Sequence, residues 1–188
     1  EFCSSSLKFM PHFHVPLQSG SNKTLKKMKR RYKREHYEDR IKKIKSDIPQ
    51  ACIGADVIVG FPGETKDDFL ETYNFLNELE ISYLHVFTYS ERTNTDAFEI
   101  GGAVSKEKRA ERSKMLHFLS DKKRQYFCNQ FIGKELPVLF ENTKNGKTFG
   151  HTDNYIQVQV ESEVNLVNTI QNVRLTDNYS SIVACDLI

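Results

Sequence analysis

Three short groups of polar residues and glycines could hold a ligand, because each follows an apolar stretch that is typical of a β-strand. In α/β proteins the loops at the carboxyl ends of parallel strands are where ligands bind. Three such loops in one chain therefore predict a shared pocket. The groups are Gln18 and Ser19, then Gly60, Pro62, Gly63 and Glu64, and finally Tyr89, Ser90 and Arg92.

Each group offers a different chemistry. The amide and hydroxyl of Gln18 and Ser19 could hydrogen-bond a ligand hydroxyl. The Gly60–Glu64 loop could bring backbone N–H groups to a carboxylate or a phosphate. The Arg92 guanidinium could clamp either anion. Each group also has an alternative explanation that stays open. Residues 18–19 could be a helix-capping turn, residues 60–64 a plain tight turn, and residues 89–95 a solvated loop. No Walker loop and no GxGxxG motif occurs in the chain.

The elements that would position these loops alternate between strand and helix. Apolar stretches at 12–17, 52–59 and 82–89 predict three strands about thirty residues apart, so the sheet should be parallel with right-handed crossovers. The second stretch is apolar enough to be covered on both faces. Three helices are predicted. The first runs from Ser21 or Asn22 through Met28, the second ends at Pro49, and the third begins after Glu64. The apolar residues of the second and third helices are Tyr37, Ile41, Ile44 and Ile48, and Phe69, Tyr73 and Leu76.

The last third of the chain changes character. A long helix is predicted from Ser105 to near Gly133. Short apolar or alternating segments follow at 136–140, 155–160, 164–170 and 182–187, separated by turns at 145–146 and 177–178. Such a series predicts a small antiparallel, OB-like β-barrel. The fold class is therefore α/β with a parallel sheet, and the expected domains are 1–130 and 131–188.

Charge is segregated along the chain although the net charge is only +2. Residues 20–46 contain twelve Lys or Arg against three acids. The densest basic run, residues 26–34, includes an aromatic ring and would suit RNA, although a solvated helix face explains such a run equally well. The predicted RNA contacts are Lys29, Arg30 and Arg31 in the basic run, and Lys147, Phe149, His151, Tyr155 and Arg174 in the β domain.

The histidines and cysteines give weaker signals. His12 and His14 fall on one face of a strand, where they could be ligands or acid–base groups, or could fill a barrel interior while hydrogen-bonded to neighbours. The four cysteines match no metal or disulfide spacing. With no signal peptide and no transmembrane run, we expect a reduced, cytoplasmic protein without a membrane partner.

Four phrases of the sequence, in this order and spacing, resemble the radical S-adenosylmethionine methylthiotransferases, in particular the branch that modifies threonylcarbamoyladenosine beside the tRNA anticodon. They are PHFHVPLQSGS (11–21), MKRRY (28–32), GADVIVGFPGETKDDF (54–69) and YLHVFTYSERTNT (83–95). The segments GKELPVLFE (133–141) and GKTFGHTDNYIQVQV (146–160) resemble the TRAM domain, a small RNA-binding β-barrel. The resemblance implies the last three βα units of a six-unit radical SAM barrel, followed by TRAM.

The resemblance also implies cofactors and partners: S-adenosylmethionine, two [4Fe–4S] clusters, tRNA and an electron donor. A 5′-deoxyadenosyl radical would abstract hydrogen from the adenine ring before a methylated sulfur is inserted. Gln18 and Ser19 match the region that contacts the ribose of S-adenosylmethionine, and 60–64 matches the loop that contacts its adenine. Tyr89, Ser90 and Arg92 match the segment near the cofactor or the substrate nucleotide.

The chain departs from the family in its cysteines, since no CxxxCxxC motif occurs in these 188 residues. We therefore expect a fragment that is inactive by itself, with an open sheet edge through which it could self-associate. One alternative is a non-catalytic RNA-binding module that uses the basic run and the β domain. A weaker one is another α/β enzyme that acts on a phosphate ligand.

Overall fold

A computed structural model describes residues 2–6, 8–92, 95–162, 164–179 and 182–188, without the side chains of Phe98 and Tyr179. The chain forms two compact units, one of residues 14–47 and 53–120 and the other of residues 1–13, 48–52 and 121–188. The helices are α1 (Phe2–Ser5), α2 (Asn22–Lys27), α3 (Arg34–Asp47), α4 (Lys66–Glu78), α5 (Asp96–Glu99) and α6 (Lys106–Asn129). The strands are β1 (His12–His14), β2 (Cys52–Val59), β3 (Tyr83–Thr88), β4 (Glu135–Lys144), β5 (Lys147–Thr152), β6 (Gln157–Glu161), β7 (Ile170–Tyr179) and β8 (Ile182–Leu187).

The first three strands form one sheet in the order β1-β2-β3. Strands β2 and β3 are parallel, as expected from the βαβαβ pattern. Strand β1 is shorter than the predicted 12–17, but its hydrogen bonding continues, because the N–H groups of Val15 and Leu17 donate to the carbonyls of Gly54 and Asp56. Pro16 lies between these two donors and faces away from β2, where its missing N–H removes no bond to that strand.

The core of this unit covers one face of the sheet. Ile53, Ala55, Val57 and Val59 of β2 are at most 1% exposed and pack with apolar residues of α3, α4 and α6. Burying a side chain such as Ile53 contributes about 1.5–3 kcal/mol. The expectation that β2 is covered on both faces holds only for its first half, where Cys52 and Gly54 are also buried. In its second half Asp56 and Ile58, which alternate with the core residues, are only half-buried.

Helix α4 begins where the sequence predicts a helix, directly after the Gly60–Glu64 loop. Thr65 is its N-cap, and its hydroxyl accepts a hydrogen bond from the N–H of Asp68 while the Asp68 carboxylate accepts one from the N–H of Thr65. This reciprocal capping box fixes the direction in which the chain leaves the loop. Helix α6 begins after Ser105 and ends at Asn129, four residues before the predicted Gly133.

The last five strands form a closed barrel in the order β4-β5-β6-β8-β7. Every neighbouring pair is antiparallel except β6 and β8. The predicted turn at Asn145 and Gly146 is present, with φ angles of 52° and 77° that suit a two-residue hairpin.

Two of the barrel predictions were wrong. A turn at 177–178 was expected, but these residues lie inside β7, where a register shift between Leu175 and Asn178 accommodates them as a bulge. A strand at 164–170 was expected, yet only Ile170 belongs to one. Strand β5 was not foreseen, because it is polar and contains Gly150. In the described parts of the chain, no helix is long and apolar enough to cross a bilayer.

Candidate functional site

Backbone hydrogen bonds bring the ends of the three parallel strands side by side. The carbonyl of Gln18 accepts from the N–H of Ile58 at 2.9 Å, and the N–H of Tyr89 donates to the carbonyl of Val59 at 2.9 Å. Gln18 takes a left-handed conformation, with φ of 74°, which is costly for a residue other than glycine. The sheet therefore holds the first and third predicted groups on either side of the Gly60–Glu64 loop.

Ser19 points into the protein at this edge. Its side chain is fully buried, and its hydroxyl lies 3.2 Å from the hydroxyl of Thr72 and accepts from the N–H of Ser21. A Cβ on Gly20 would lie 2.9 Å from the Cα of Thr72, so this turn packs tightly on α4. The hydroxyl of Ser19 thus has partners within the chain, and its contact with a ribose stays a prediction.

The Gly60–Glu64 loop is braced by its own polar groups. The Glu64 carboxylate accepts from the N–H of Gly60 at 2.8 Å and from the Arg112 guanidinium at 2.5 Å, and both side chains of this ion pair are buried. Burial raises the pKa of Glu64, while the bonds from Gly60 and Arg112 oppose the rise. The N–H of Gly63 donates to the carbonyl of Gly102. These two loop glycines therefore use their N–H groups internally rather than offering them to an anion.

A second buried arginine, Arg109, fixes the end of β3. It donates to the carbonyl of Tyr89 at 2.9 Å and pairs with the carboxylate of Glu91, and this bond lowers the pKa of Glu91 to about 2. The stem of Arg109 crosses Gly60 so closely that a Cβ there would clash with it. Sequence reasoning missed Arg109 and Arg112. The available signal was their spacing of three, which places them on one face of a helix.

A cavity of about 750 Å³ opens beside these loops. Ile58 and Phe61 contribute apolar surface, whereas Lys29 and Arg30 contribute positive charge and Asp96 negative charge. Its volume lies in the range of small-molecule sites. The remaining lining residues are Lys27, Met28, Ala97, Glu99 and Ile100.

None of the nine predicted cofactor residues lines this cavity. Within the Gly60–Glu64 loop only Phe61 lines it, and Glu64 lines a separate cavity of about 600 Å³. Two of the predicted RNA contacts, Lys29 and Arg30, do line it. Ser90 and Arg92 are exposed, and residues 93 and 94 of the predicted polar loop lie outside the described residues. The basic run thus reaches the ligand edge of the sheet, which its sequence alone did not indicate.

Residues 5–76 match the model of the Radical SAM superfamily. The chain is 39% identical over 180 residues, 93% of its length, to the threonylcarbamoyladenosine tRNA methylthiotransferase MtaB of Bacillus subtilis. The chain is a relative of the tRNA methylthiotransferases. It is also 43% identical over 157 residues, 84% of its length, to MtaB of Aquifex aeolicus. To the tRNA-2-methylthio-N(6)-dimethylallyladenosine synthase of Acetivibrio thermocellus it is 36% identical over 171 residues, 89% of its length.

The chain spans only 36–40% of the length of these three methylthiotransferases. Its own cysteines do not fit an iron–sulfur cluster, which needs several thiolates at one place. Cys3, Cys52, Cys128 and Cys185 lie in four different elements and form no disulfide, and the last three are buried. Burial raises the pKa of Cys128 and raises that of Cys185 to about 12, so both thiols keep their protons.

Some of the RNA contacts that were predicted in the barrel lie on one face. Thr148, Gly150 and Thr152 of β5 are buried, so the alternating residues Lys147, Phe149 and His151 face outward. Arg174 lies on β7, which β4 separates from β5. The side chains of Lys147 and Arg174 pair with Glu161 and Glu135.

Tyr155 is already stacked within its own unit. Its ring lies 4.1 Å from that of His12 and 4.9 Å from that of His151, with interplanar angles of 7° and 14°. His151 in turn bonds the carboxylate of Glu141 at 2.7 Å. Tyr155 also has a φ of 67°, a rare conformation for an aromatic residue. Before Tyr155 could stack on a base, one of these two imidazoles would have to move.

Proposed function

We propose that this chain is the C-terminal part of a tRNA methylthiotransferase that acts on N6-threonylcarbamoyladenosine next to the anticodon. The convergence of the Gln18, Gly60 and Tyr89 strand ends beside the 750 Å³ cavity carries the proposal. S-adenosylmethionine supplies the sulfonium group from which such enzymes generate a radical. Ile58 and Ile100 suit its adenine, while Arg30 suits its carboxylate and Glu99 its amino group.

In this proposal, other parts of the full-length enzyme supply the cluster ligands and the docking site of the electron donor. The 188 residues alone therefore do not catalyse the reaction. The whole enzyme would use S-adenosylmethionine and two [4Fe–4S] clusters in the cytoplasm. The barrel of residues 131–188, with its TRAM-like sequence, would hold the tRNA together with the basic run. The open edges of β1 and β3 would let the isolated chain self-associate, and light scattering that gives a monomer would argue against this.

The cofactor part is tested by titrating the 188-residue chain with S-adenosylmethionine in a calorimeter. Ile58→Ala and Ile100→Ala should each weaken binding by about tenfold, because they remove apolar contact area from the cavity. Leu70→Ala, at a separate cavity of about 600 Å³, is the matched control and should bind as the unchanged chain does. Equal affinity in all four proteins, or no binding at all, would reject this cavity as the site.

The tRNA part is tested by electrophoretic titration at several salt concentrations. The side chains of Arg30 and Arg31 are exposed, whereas Lys29 is paired with Asp96. Charge reversal of either arginine should therefore lower affinity and reduce the salt slope by about one for each phosphate that the protein no longer neutralises. Lys42→Glu on α3 is the control.

The reaction itself is tested by reconstituting the full-length enzyme with iron and sulfide and analysing tRNA nucleosides by mass spectrometry.

A further inference from the structure

The open face of the three-stranded sheet carries a cluster that neither the cavity nor the loops use. His14 from β1, Asp56 from β2 and His85 from β3 each offer one ligand atom, and these atoms all lie within 4.8 Å of one another. Asp56 and His85 are direct partners in the register of β2 and β3. Strand pairing therefore places Asp56 and His85 side by side.

We propose that His14, Asp56 and His85 bind a divalent first-row transition metal ion such as Zn²⁺. Two imidazoles and one carboxylate are a recurrent donor set for such ions, whereas Mg²⁺ and Ca²⁺ prefer oxygen donors alone. Three protein ligands leave one position of a tetrahedral ion for water or a substrate atom.

The geometry requires only small side-chain movements. Donor atoms around a tetrahedral ion lie roughly 3.3 Å apart, given ligand distances of about 2.0–2.1 Å. The Nε2 atom of His14 and the Oδ1 atom of Asp56 lie 2.6 Å apart and share a hydrogen bond, so they already converge on one point. A bound ion would take the place of the proton between them.

The surroundings of the cluster leave it open to an ion from solvent. The side chain of His14 is 45% exposed and that of Asp56 is 18% exposed. The His85 ring is exposed and contacts the rings of His14 and Tyr83, each at 5.1 Å between centroids. These ring contacts restrict the imidazoles to the side of the sheet on which Asp56 lies. A plain His14–Asp56 hydrogen bond without metal affinity is the competing explanation.

The test is a titration of the untagged, reduced 188-residue chain with Co²⁺, followed by competition with Zn²⁺ and with Mg²⁺. We expect visible d–d absorption that saturates at one ion per chain, is displaced by Zn²⁺ and persists in excess Mg²⁺. His85→Ala, His14→Ala and the near-isosteric Asp56→Asn should each weaken Co²⁺ binding at least tenfold. His117→Ala, which removes an exposed histidine of α6, is the control and should bind as the unchanged chain does.

Circular dichroism of the metal-free variants shows whether each variant is folded. If the alanine variants do not fold, Asp56→Asn still tests the proposal, because its amide can hydrogen-bond His14. Undiminished Co²⁺ binding in folded His85→Ala or Asp56→Asn would overturn the proposal, as would the absence of d–d bands. A thiolate-to-cobalt charge-transfer band would also overturn it, because that band would place the ion on a cysteine. Failure here leaves the S-adenosylmethionine titration unaffected, since none of the three residues lines that cavity.

Discussion

The carboxyl edge of the sheet and the closed barrel both contain arginines that pair with glutamates, but their surroundings differ. Arg109 and Arg112 are 5% and 8% exposed, and they hold the loops that follow β3 and β2. The side chain of Arg174 on the barrel is 56% exposed. A buried pair is strongly destabilised when one partner is lost, whereas an exposed pair contributes little. Substitutions at the sheet edge therefore test structure first, and substitutions on the barrel surface test ligand binding.

The largest effect is expected from Arg112→Met. It leaves the Glu64 carboxylate buried without its cation, and we expect a loss of about 3–5 kcal/mol in the free energy of unfolding. Adding Glu64→Gln should recover much of this loss, because the amide still accepts from Gly60 and no charge remains. Urea unfolding of both proteins measures the difference, with Lys114→Met on the exposed side of α6 as control. A double variant as unstable as the single one would contradict the explanation.

The next effect compares glycines that allow close packing in the two regions. A Cβ at Gly150 of β5 would clash with the backbone carbonyl of Leu139, whereas one at Gly54 of β2 would meet the far end of the Tyr83 ring. A side chain can move more easily than a paired backbone. Gly150→Ala should therefore cost about 1–3 kcal/mol and Gly54→Ala less. Thermal and urea unfolding of both variants would refute this if Gly54→Ala were the more destabilised.

A smaller effect concerns the acid stability of the sheet edge. The hydrogen bond from Arg109, together with a backbone hydrogen bond, lowers the pKa of Glu91 from its usual 4.5 to about 2. A carboxyl group whose pKa is lowered by folding stabilises the folded state above its unfolded pKa, and this contribution is lost as the pH falls through the folded value. The stability difference between the unchanged chain and Glu91→Gln should be constant above pH 4.5 and shrink between pH 4.5 and 2. A difference that does not vary across this window would show that the pair does not form.

The smallest effect on stability is expected on the barrel surface. Arg174 and Glu135 lie 2.5 Å apart and are both exposed, so Arg174→Ala should leave the unfolding midpoint unchanged. The same variant should weaken tRNA binding if Arg174 contacts a phosphate. Differential scanning fluorimetry and a tRNA titration on the same preparation separate the two. A large fall in the midpoint would mean that the barrel uses its charges as the sheet edge does.

Much of the sheet unit could be predicted from local sequence. The bounds of β2 were predicted to the residue, because its near-continuous apolar run lies between Pro49 and Gly60. The start of α4 followed from its capping residues. In the barrel, β8 was predicted correctly, but β5 and β7 were not, because polar strands are specified by their partners and by barrel closure rather than by their own pattern.

The amino-acid sequence by itself determined the periodicity of each segment, the turn residues and the likeness to the methylthiotransferases, since all of these are local properties. Only the tertiary structure decided that Arg112 reaches Glu64 across 48 positions and that His14 reaches Asp56 across 42. It also decided that Lys29 and Arg30 line a cavity beside the strand ends. A side chain's spacing tells which face it occupies, but its partner is fixed only when strands pair and helices pack, which brings distant positions within hydrogen-bond reach.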